Sequence, residues 1–215
     1  MFRRLYLSIC ALLPRISLGV RKRALSALSV SIAICVWLGL ALFGLIQGAR
    51  YDATPAKAHY SKVDWPDSRL TLGAKGYTIV LFAHPACPCT GASLHQLREA
   101  SARAREPLTI YIVSSFPATF PRNQAIKSNE RIAQEIRGAS RVEDKGCKIA
   151  AAFRATTSGQ CFVYDAAGKQ VFQGGLTRAR GHTGDSKGLE SILALINAGS
   201  STAERTPIFG CPLDT

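Results

Sequence analysis

The sequence predicts an α/β domain, with a central mixed sheet flanked by helices, behind one N-terminal transmembrane helix. Three observations predict this class. Residues 24–49 contain no charged side chain, and a bilayer core requires about 20 apolar residues in a row. Strand-like runs at 77–83 and 107–114 are separated by a helix-like segment, which is the order of a parallel βαβ unit. Two short runs on either side of the turn 166–168 have the pattern of an antiparallel hairpin.

The uncharged stretch also sets the predicted topology and domain organisation. The basic residues 21–23 precede it directly, so the positive-inside rule predicts a single-pass protein of the inner or plasma membrane with a cytoplasmic N-terminus and a periplasmic or extracytoplasmic C-terminal domain. A cleaved signal peptide is the competing interpretation, although its apolar core is usually only about 7–15 residues long. We therefore predict a basic cytoplasmic segment 1–23, a transmembrane helix 24–49, a tether 50–64, a folded domain 65–198 and a C-terminal tail 199–215.

The positive charge of the chain is unevenly distributed. The formal net charge is +13, but residues 1–50 hold seven Lys and Arg residues and no acid, whereas residues 51–215 hold 20 basic and 14 acidic residues. A nucleic-acid-binding domain would cluster basic and aromatic side chains on one folded face. Only a modest cluster is present, formed by Arg178, Arg180, His182 and Lys187, and such a cluster is typical of a solvated loop. We expect the membrane as a partner, and no nucleic acid.

The elements of the domain are predicted from local patterns. Runs rich in β-branched and aromatic residues between glycine, proline or polar residues indicate strands, and apolar residues three or four positions apart indicate helices. Strands are predicted at 77–83, 107–114, 160–165 and 169–173, with a turn or short strand at 142–146. Helices are predicted at 90–104, 123–137, 147–155 and 188–198.

Two cysteines lie where the first strand ends and the first helix of the domain begins. The order strand, Cys87-Pro88-Cys89, helix places both sulfurs near a helix N-terminus, whose partial positive charge stabilises a thiolate. We expect Cys87 to be the more exposed, attacking sulfur and Cys89 the resolving one. His84 lies three residues before Cys87 and is a further candidate for the site. Cys211, near the end of the chain, is a possible third thiol.

The strand-to-cysteine segment 81–89 and the hairpin 162–171 (FVYDAAGKQV) resemble the corresponding segments of extracytoplasmic thioredoxin-like proteins. This resemblance covers about residues 65–198 and implies a thioredoxin-like fold. Four further motifs together are similar to a membrane-anchored group labelled RedB: 84–90 (HPACPCT), the hairpin segment 157–165 (TSGQCFVYD) with the glycines 174–175, 180–182 (RGH) and 209–213 (FGCPL).

The sequence also departs from the thioredoxin pattern. Thioredoxins carry Cys-x-x-Cys. Cys89 fits the second cysteine of that motif, but the first cysteine position is Ala86 here, and the other thiol of this chain is Cys87, one residue later. Thioredoxins also place a cis-proline before the hairpin, where this chain has Gly159 and no proline. Substrate capture in the usual thioredoxin manner is therefore not implied.

The favoured hypothesis is an enzyme, a thiol–disulfide oxidoreductase that exchanges with thiols or disulfides of a partner protein through the Cys87–Cys89 pair and needs no cofactor. One alternative is a copper(I) metallochaperone of the Sco type, with Cys87, Cys89, His84 and His182 as ligands, because soft thiolates and imidazole suit that ion. Peroxide reduction by a single thiolate is another, although the usual threonine or serine three residues before the cysteine is missing. The last is a thioredoxin-fold binding module without turnover.

Overall fold

The structure is a computed structural model, and it describes residues 18–60, 62–66, 69–106, 108–121, 123 and 125–214. Most of the predicted basic segment 1–23 lies outside the described residues. The chain divides into two compact units, Met1–Ala49 and Arg50–Thr215.

Helix α1, Leu18–Ala53, contains the stretch predicted to cross a membrane. Its portion Ser26–Ala53 is 28 residues long, which corresponds to about 42 Å at the rise of an α-helix. Large apolar side chains along it, such as Leu40, Phe43 and Leu45, are exposed. Among the described residues this is the one helix long and apolar enough to span a membrane.

A five-stranded mixed sheet forms the centre of the domain. Its strands are β1, Thr78–Ala83; β2, Thr109–Phe116; β3, Ala139–Lys145; β4, Gln160–Tyr164; and β5, Gln170–Gly175. The order across the sheet is β3-β2-β1-β4-β5. Strands β1, β2 and β3 are parallel, whereas β4 is antiparallel to both β1 and β5. The predicted α/β, thioredoxin-like fold class is confirmed.

Helices cover both faces of this sheet. They are α2, Thr90–Arg103; α3, Lys127–Glu135; α4, Lys148–Ala152; and α5, Lys187–Ala198. Strand residues alternate between the faces: Ile79 and Leu81 pack in the cluster that contains Leu94 of α2, and Phe82 packs in the cluster that contains Phe153. Because β1 is buried on both faces, its end is a rigid platform for the turn that follows.

Several predicted elements have different bounds in the structure; the helix predicted over 147–155, for example, is Lys148–Ala152. Residues 142–145 of the segment predicted as a turn or short strand belong to the longer edge strand β3, Ala139–Lys145. Most of its residues are exposed, so it lacks the apolar run that reveals a buried strand. The helix predicted over 123–137 is shorter, Lys127–Glu135.

The C-terminal tail folds back onto the domain through residues 205–213, which we call the docked tail. Arg205 makes a parallel bridge to Gln173 of β5, and Pro212 makes an antiparallel bridge to Thr157. The Leu213 N–H donates to the Thr156 carbonyl over 3.0 Å. Two apolar side chains of the docked tail, Ile208 and Leu213, are 0% and 2% exposed. The docked tail is therefore part of the domain core.

Candidate active site

The end of β1 leads directly into the cysteine turn. The chain reverses there through two backbone hydrogen bonds, from the Cys87 N–H to the His84 carbonyl at 3.1 Å and from the Thr90 N–H to the Cys87 carbonyl at 3.2 Å. Helix α2 begins at Thr90 and Cys89 is its N-cap residue. The strand–turn–helix order places both thiols at the N-terminal end of α2, as the sequence predicts.

The exposure of the two thiols is opposite to the expectation from sequence. Cys87 is only 1% exposed, whereas Cys89 is half-buried and Pro88 between them is exposed. The expectation that Cys87 is the more exposed sulfur is therefore wrong. The physical reason is the docked tail, because Cys211 lies against the Cys87 sulfur.

The Cys211 thiol contacts the Cys87 thiol. The two Sγ atoms are 3.0 Å apart, and a disulfide requires about 2.05 Å, so closing the bond would take an approach of about one ångström. The Ser158 N–H donates to the Cys211 carbonyl over 2.8 Å and holds the tail at this point. Cys89 also shares a hydrogen bond with the Cys87 thiol. We call Cys87, Cys89 and Cys211 the thiol cluster.

Two hydroxyl groups lock the turn that carries Cys87. The Thr90 and Ser158 hydroxyl oxygens are 2.7 Å apart, and Ser158 Oγ accepts from the His84 N–H at 2.9 Å. The Thr90 hydroxyl donates to the His84 carbonyl, and it lies close enough to the Cys87 sulfur to lower the pKa of that thiol. On another side, Asn129 Nδ2 donates to the Cys87 carbonyl over 3.1 Å. These contacts fix the Cys87 backbone from two directions.

Gly159 lies near the position where the thioredoxin pattern would place its cis-proline. Its φ is +85°, a conformation that glycine adopts without strain. Its N–H donates to the Phe82 carbonyl at 2.8 Å, and a Cβ built there would lie 2.8 Å from Ser93 Oγ. A larger residue does not fit here, and this loop is instead paired with the docked tail.

Arg180 is a site residue that the sequence analysis assigned to a solvated loop. Its Nη1 donates to the Gly210 carbonyl over 2.7 Å, and its guanidinium hydrogen-bonds Cys89. Its guanidinium carbon lies 4.7 Å from the centre of the Tyr51 ring, close enough for a cation–π contact. Its Nε is buried and has no hydrogen-bond partner within the described part of the chain. The one sequence signal for this role is the position of Arg180 in the 180–182 motif.

The three thiols differ in how readily they ionise. Burial raises the pKa of the Cys87 thiol, but hydrogen bonds from Cys211, Thr90 and the Cys89 backbone outweigh it, so this pKa lies below its usual value. Burial and the neighbouring Cys87 raise the pKa of Cys89, partly offset by Arg180. Burial and the hydrogen bond to Cys87 raise the pKa of Cys211 to about 12. Cys87 is thus the first thiol of the cluster to ionise.

This order of ionisation predicts a pH effect in the reduced protein. The ultraviolet absorbance of the first thiolate is expected to appear at a pH below that of an ordinary cysteine. In a Cys211→Ala variant the midpoint is expected to move to higher pH, because the thiolate loses its main hydrogen-bond donor. Cys161→Ala is the matched control, since burial raises the pKa of this thiol far above the usual range. An unchanged midpoint in Cys211→Ala would contradict the assignment of Cys87 as the stabilised thiolate.

The two histidines proposed as copper(I) ligands make other contacts. His84 is buried; its Nδ1 accepts from the Ala86 N–H at 3.3 Å and its ring packs edge-on against Phe120. His182 is exposed, with its Nδ1 2.7 Å from the Arg180 carbonyl oxygen. Across the described residues, no group of three or more His, Cys, Asp or Glu side chains has the arrangement of a metal site. A copper(I) site that includes these two histidines stays a prediction, and no chemistry is derived through it.

The remaining described cysteines lie outside the thiol cluster. Cys161 is fully buried in β4, and Cys35 is exposed on helix α1. Cys147 is half-buried, with its Sγ 3.5 Å from the Leu213 carbonyl oxygen.

Comparison with known proteins supports the fold and nothing finer. No protein-family model matches the chain, and no curated protein sequence matches it. An uncharacterised conserved protein from Geobacillus kaustophilus is 19% identical with a TM-score of 0.54, covering 76% of this chain and 90% of its own. A hypothetical protein from Sinorhizobium meliloti 1021 is 17% identical with a TM-score of 0.53, covering 74% and 93%. A solution structure described as a thioredoxin-like protein in the oxidized form is 16% identical with a TM-score of 0.43, covering 70% and 97%.

Proposed function

We propose that the chain is a membrane-anchored, extracytoplasmic thiol–disulfide oxidoreductase that acts on protein thiols through the thiol cluster. The observation that carries the proposal is the 3.0 Å separation of Cys87 Sγ and Cys211 Sγ. Thiol–disulfide exchange requires a thiolate beside a second sulfur, and the lowered pKa of Cys87 supplies the thiolate. The narrower resemblance to the RedB-labelled group agrees with this proposal, because two of its four motifs contain the cysteines of the cluster.

The net reaction follows from the pairing. A protein disulfide and the Cys87–Cys211 dithiol exchange to give a protein dithiol and a Cys87–Cys211 disulfide, and two electrons and two protons pass to the partner protein. The reverse reaction oxidises a protein dithiol. In this proposal Cys211, rather than Cys89, forms the resting disulfide with Cys87. Cys89 is then the third, unbonded thiol of the cluster.

Two features favour turnover over a purely structural bridge. A structural pair needs no third thiol, yet Cys89 hydrogen-bonds the same sulfur. A structural pair also needs no charged group, yet the Arg180 guanidinium lies at Cys89. Helix α1 supports the proposed anchor by its length and composition, and the basic residues before it support the proposed orientation.

A redox titration of the full-length protein in detergent micelles tests the proposal. The protein is equilibrated in buffers of varied reduced and oxidised dithiothreitol, free thiols are alkylated, and linked peptides are identified by mass spectrometry. We expect a reversible disulfide that joins Cys87 to Cys211, and the same titration in a Cys147→Ser control. If all three thiols of the cluster stay reduced in every buffer, the proposal is wrong.

A further inference from the structure

We infer that Cys89, rather than Cys87, exchanges with the partner protein, and that Arg180 supplies the counter-charge for its thiolate. This inference rests on the proposed function and adds to it the route by which electrons enter and leave. Cys87 and Cys211 then form an internal pair, in which Cys87 is buried and Cys211 is half-buried like Cys89.

The first argument is access. A partner sulfur must approach the attacked sulfur in line with the bond that breaks, which requires an open path. Cys87 is 1% exposed and its sulfur is covered by Cys211. Cys89 is half-buried and follows the exposed Pro88, so it is the more open of the two sulfurs of the Cys-Pro-Cys pair.

The second argument is that the docked tail does not move aside easily. Ile208 and Leu213 on either side of Cys211 are buried in the domain. A Cβ added to Gly210 would lie 1.8 Å from the Ser158 carbonyl oxygen, so the tail and the 156–158 loop are in close backbone contact. Uncovering Cys87 would require breaking these contacts, whereas Cys89 is reached with the tail in place.

The third argument is charge. Arg180 contacts the Cys89 sulfur and the carbonyl that precedes Cys211, so a fixed positive group faces the more open thiol. While Cys87 is a thiolate, its charge raises the pKa of Cys89. Once Cys87 is bonded to Cys211 that charge is gone, and Arg180 remains. Oxidation of the internal pair therefore favours ionisation of Cys89.

The steps balance for oxidation of a partner dithiol. The Cys89 thiolate attacks Cys87 Sγ, the Cys87–Cys211 bond breaks, and Cys211 leaves and takes a proton from water. A partner thiolate then attacks Cys89 Sγ, the Cys87–Cys89 bond breaks, and Cys87 leaves as the thiolate that the site stabilises. The second partner thiol, after losing its proton, attacks the first and releases Cys89. Two electrons have passed from the partner to the internal pair, and the reverse steps reduce a partner disulfide.

The test uses oxidised full-length protein in detergent and reduced, unfolded ribonuclease as the partner. We expect Cys89→Ser to slow exchange with ribonuclease by on the order of 100-fold, because serine is not a nucleophile for sulfur under these conditions. The same variant is expected to keep the Cys87–Cys211 equilibrium with dithiothreitol. Mixed disulfides trapped by acid and alkylation are expected on Cys89 in the wild type.

Arg180 needs a separate experiment, because a substitution there could also loosen the docked tail through the lost hydrogen bond to Gly210. We expect Arg180→Gln to move the pH dependence of exchange to higher pH, since the thiolate loses its counter-charge, and Arg180→Lys to restore part of the shift. A structural role would lower the rate equally at every pH. Arg178→Gln is the matched control, because Arg178 is exposed in the same loop.

Two outcomes separate this inference from the proposed function. If the Cys89→Ser variant exchanges with ribonuclease at the wild-type rate and forms mixed disulfides on Cys87 or Cys211, the inference is overturned. The proposed oxidoreductase function would still stand. A wild-type protein whose cluster cycles with dithiothreitol but never exchanges with ribonuclease would overturn both.

Discussion

Replacing Cys87 with serine is expected to abolish reversible disulfide chemistry in the thiol cluster. Cys87 is the one sulfur that contacts both others, so its loss removes the Cys87–Cys211 bond and the Cys87–Cys89 bond together. Burial, which is the largest cause of the raised pKa of both Cys89 and Cys211, persists in this variant. Exchange with a protein disulfide is expected to fall by on the order of 100-fold or more, since the thiolate is the nucleophile.

The measurement is the rate of insulin disulfide reduction by full-length variants, with the linked peptides mapped at each time point. Cys147→Ser is the control and is expected to retain the wild-type rate, because Cys147 lies outside the thiol cluster. Serine is close to cysteine in size, so the fold of Cys87→Ser is expected to persist in circular dichroism. A variant that still cycles through a Cys89–Cys211 bond would show that Cys87 is dispensable.

Replacing Gly210 with alanine is expected to displace the docked tail. The new Cβ would lie 1.8 Å from the Ser158 carbonyl oxygen, and backbone atoms cannot yield as the end of a flexible side chain does. Overpacking of this kind costs about 1–3 kcal/mol. The free energy of unfolding is expected to fall by about that amount, and closure of the Cys87–Cys211 bond is expected to slow, because Cys211 is the next residue.

Chemical denaturation and the rate of disulfide closure measure the two effects of Gly210→Ala. Gly48→Ala is the control, since a Cβ at Gly48 meets nothing within 4 Å. Fast closure in a destabilised Gly210→Ala protein would mean that the tail does not position Cys211. An unchanged unfolding free energy would mean that the backbone contact with Ser158 relaxes without cost.

The sheet and its principal helices were predictable because their signals are local. Strand β1 is an unbroken run of β-branched and aromatic residues, and the hairpin of β4 and β5 has its turn within a few positions. Edge strand β3 gave only a weak signal, since one of its two faces has no apolar run. The position of the Cys-Pro-Cys pair at the start of α2 followed directly from the strand and helix around it.

The arrangement of the site was less predictable because it depends on long-range pairing. The bridge between Pro212 and Thr157 brings Cys211 to Cys87. The tail is of mixed polarity and has no periodic pattern from which this pairing could be predicted. The burial of Cys87 follows from that contact, so its exposure was predicted wrongly for the same reason. Arg180 looked like one of several loop cations, and its role depends on where Gly210 and Cys89 come together in space.

The docked tail also determines what a covalent bond at the cluster would enclose. Cys87 and Cys211 are 124 positions apart in sequence, so a disulfide between them would tie nearly the whole sheet and all the helices after α1 into one ring. Closing a ring of that length reduces the conformational entropy of the unfolded chain, which corresponds to about 5 kcal/mol in the simplest entropic treatment. The oxidised domain should therefore resist proteases that attack transiently unfolded chains, and the reduced domain should be cleaved sooner. The redox poise of the compartment would then set the lifetime of the protein as well as the direction of its chemistry.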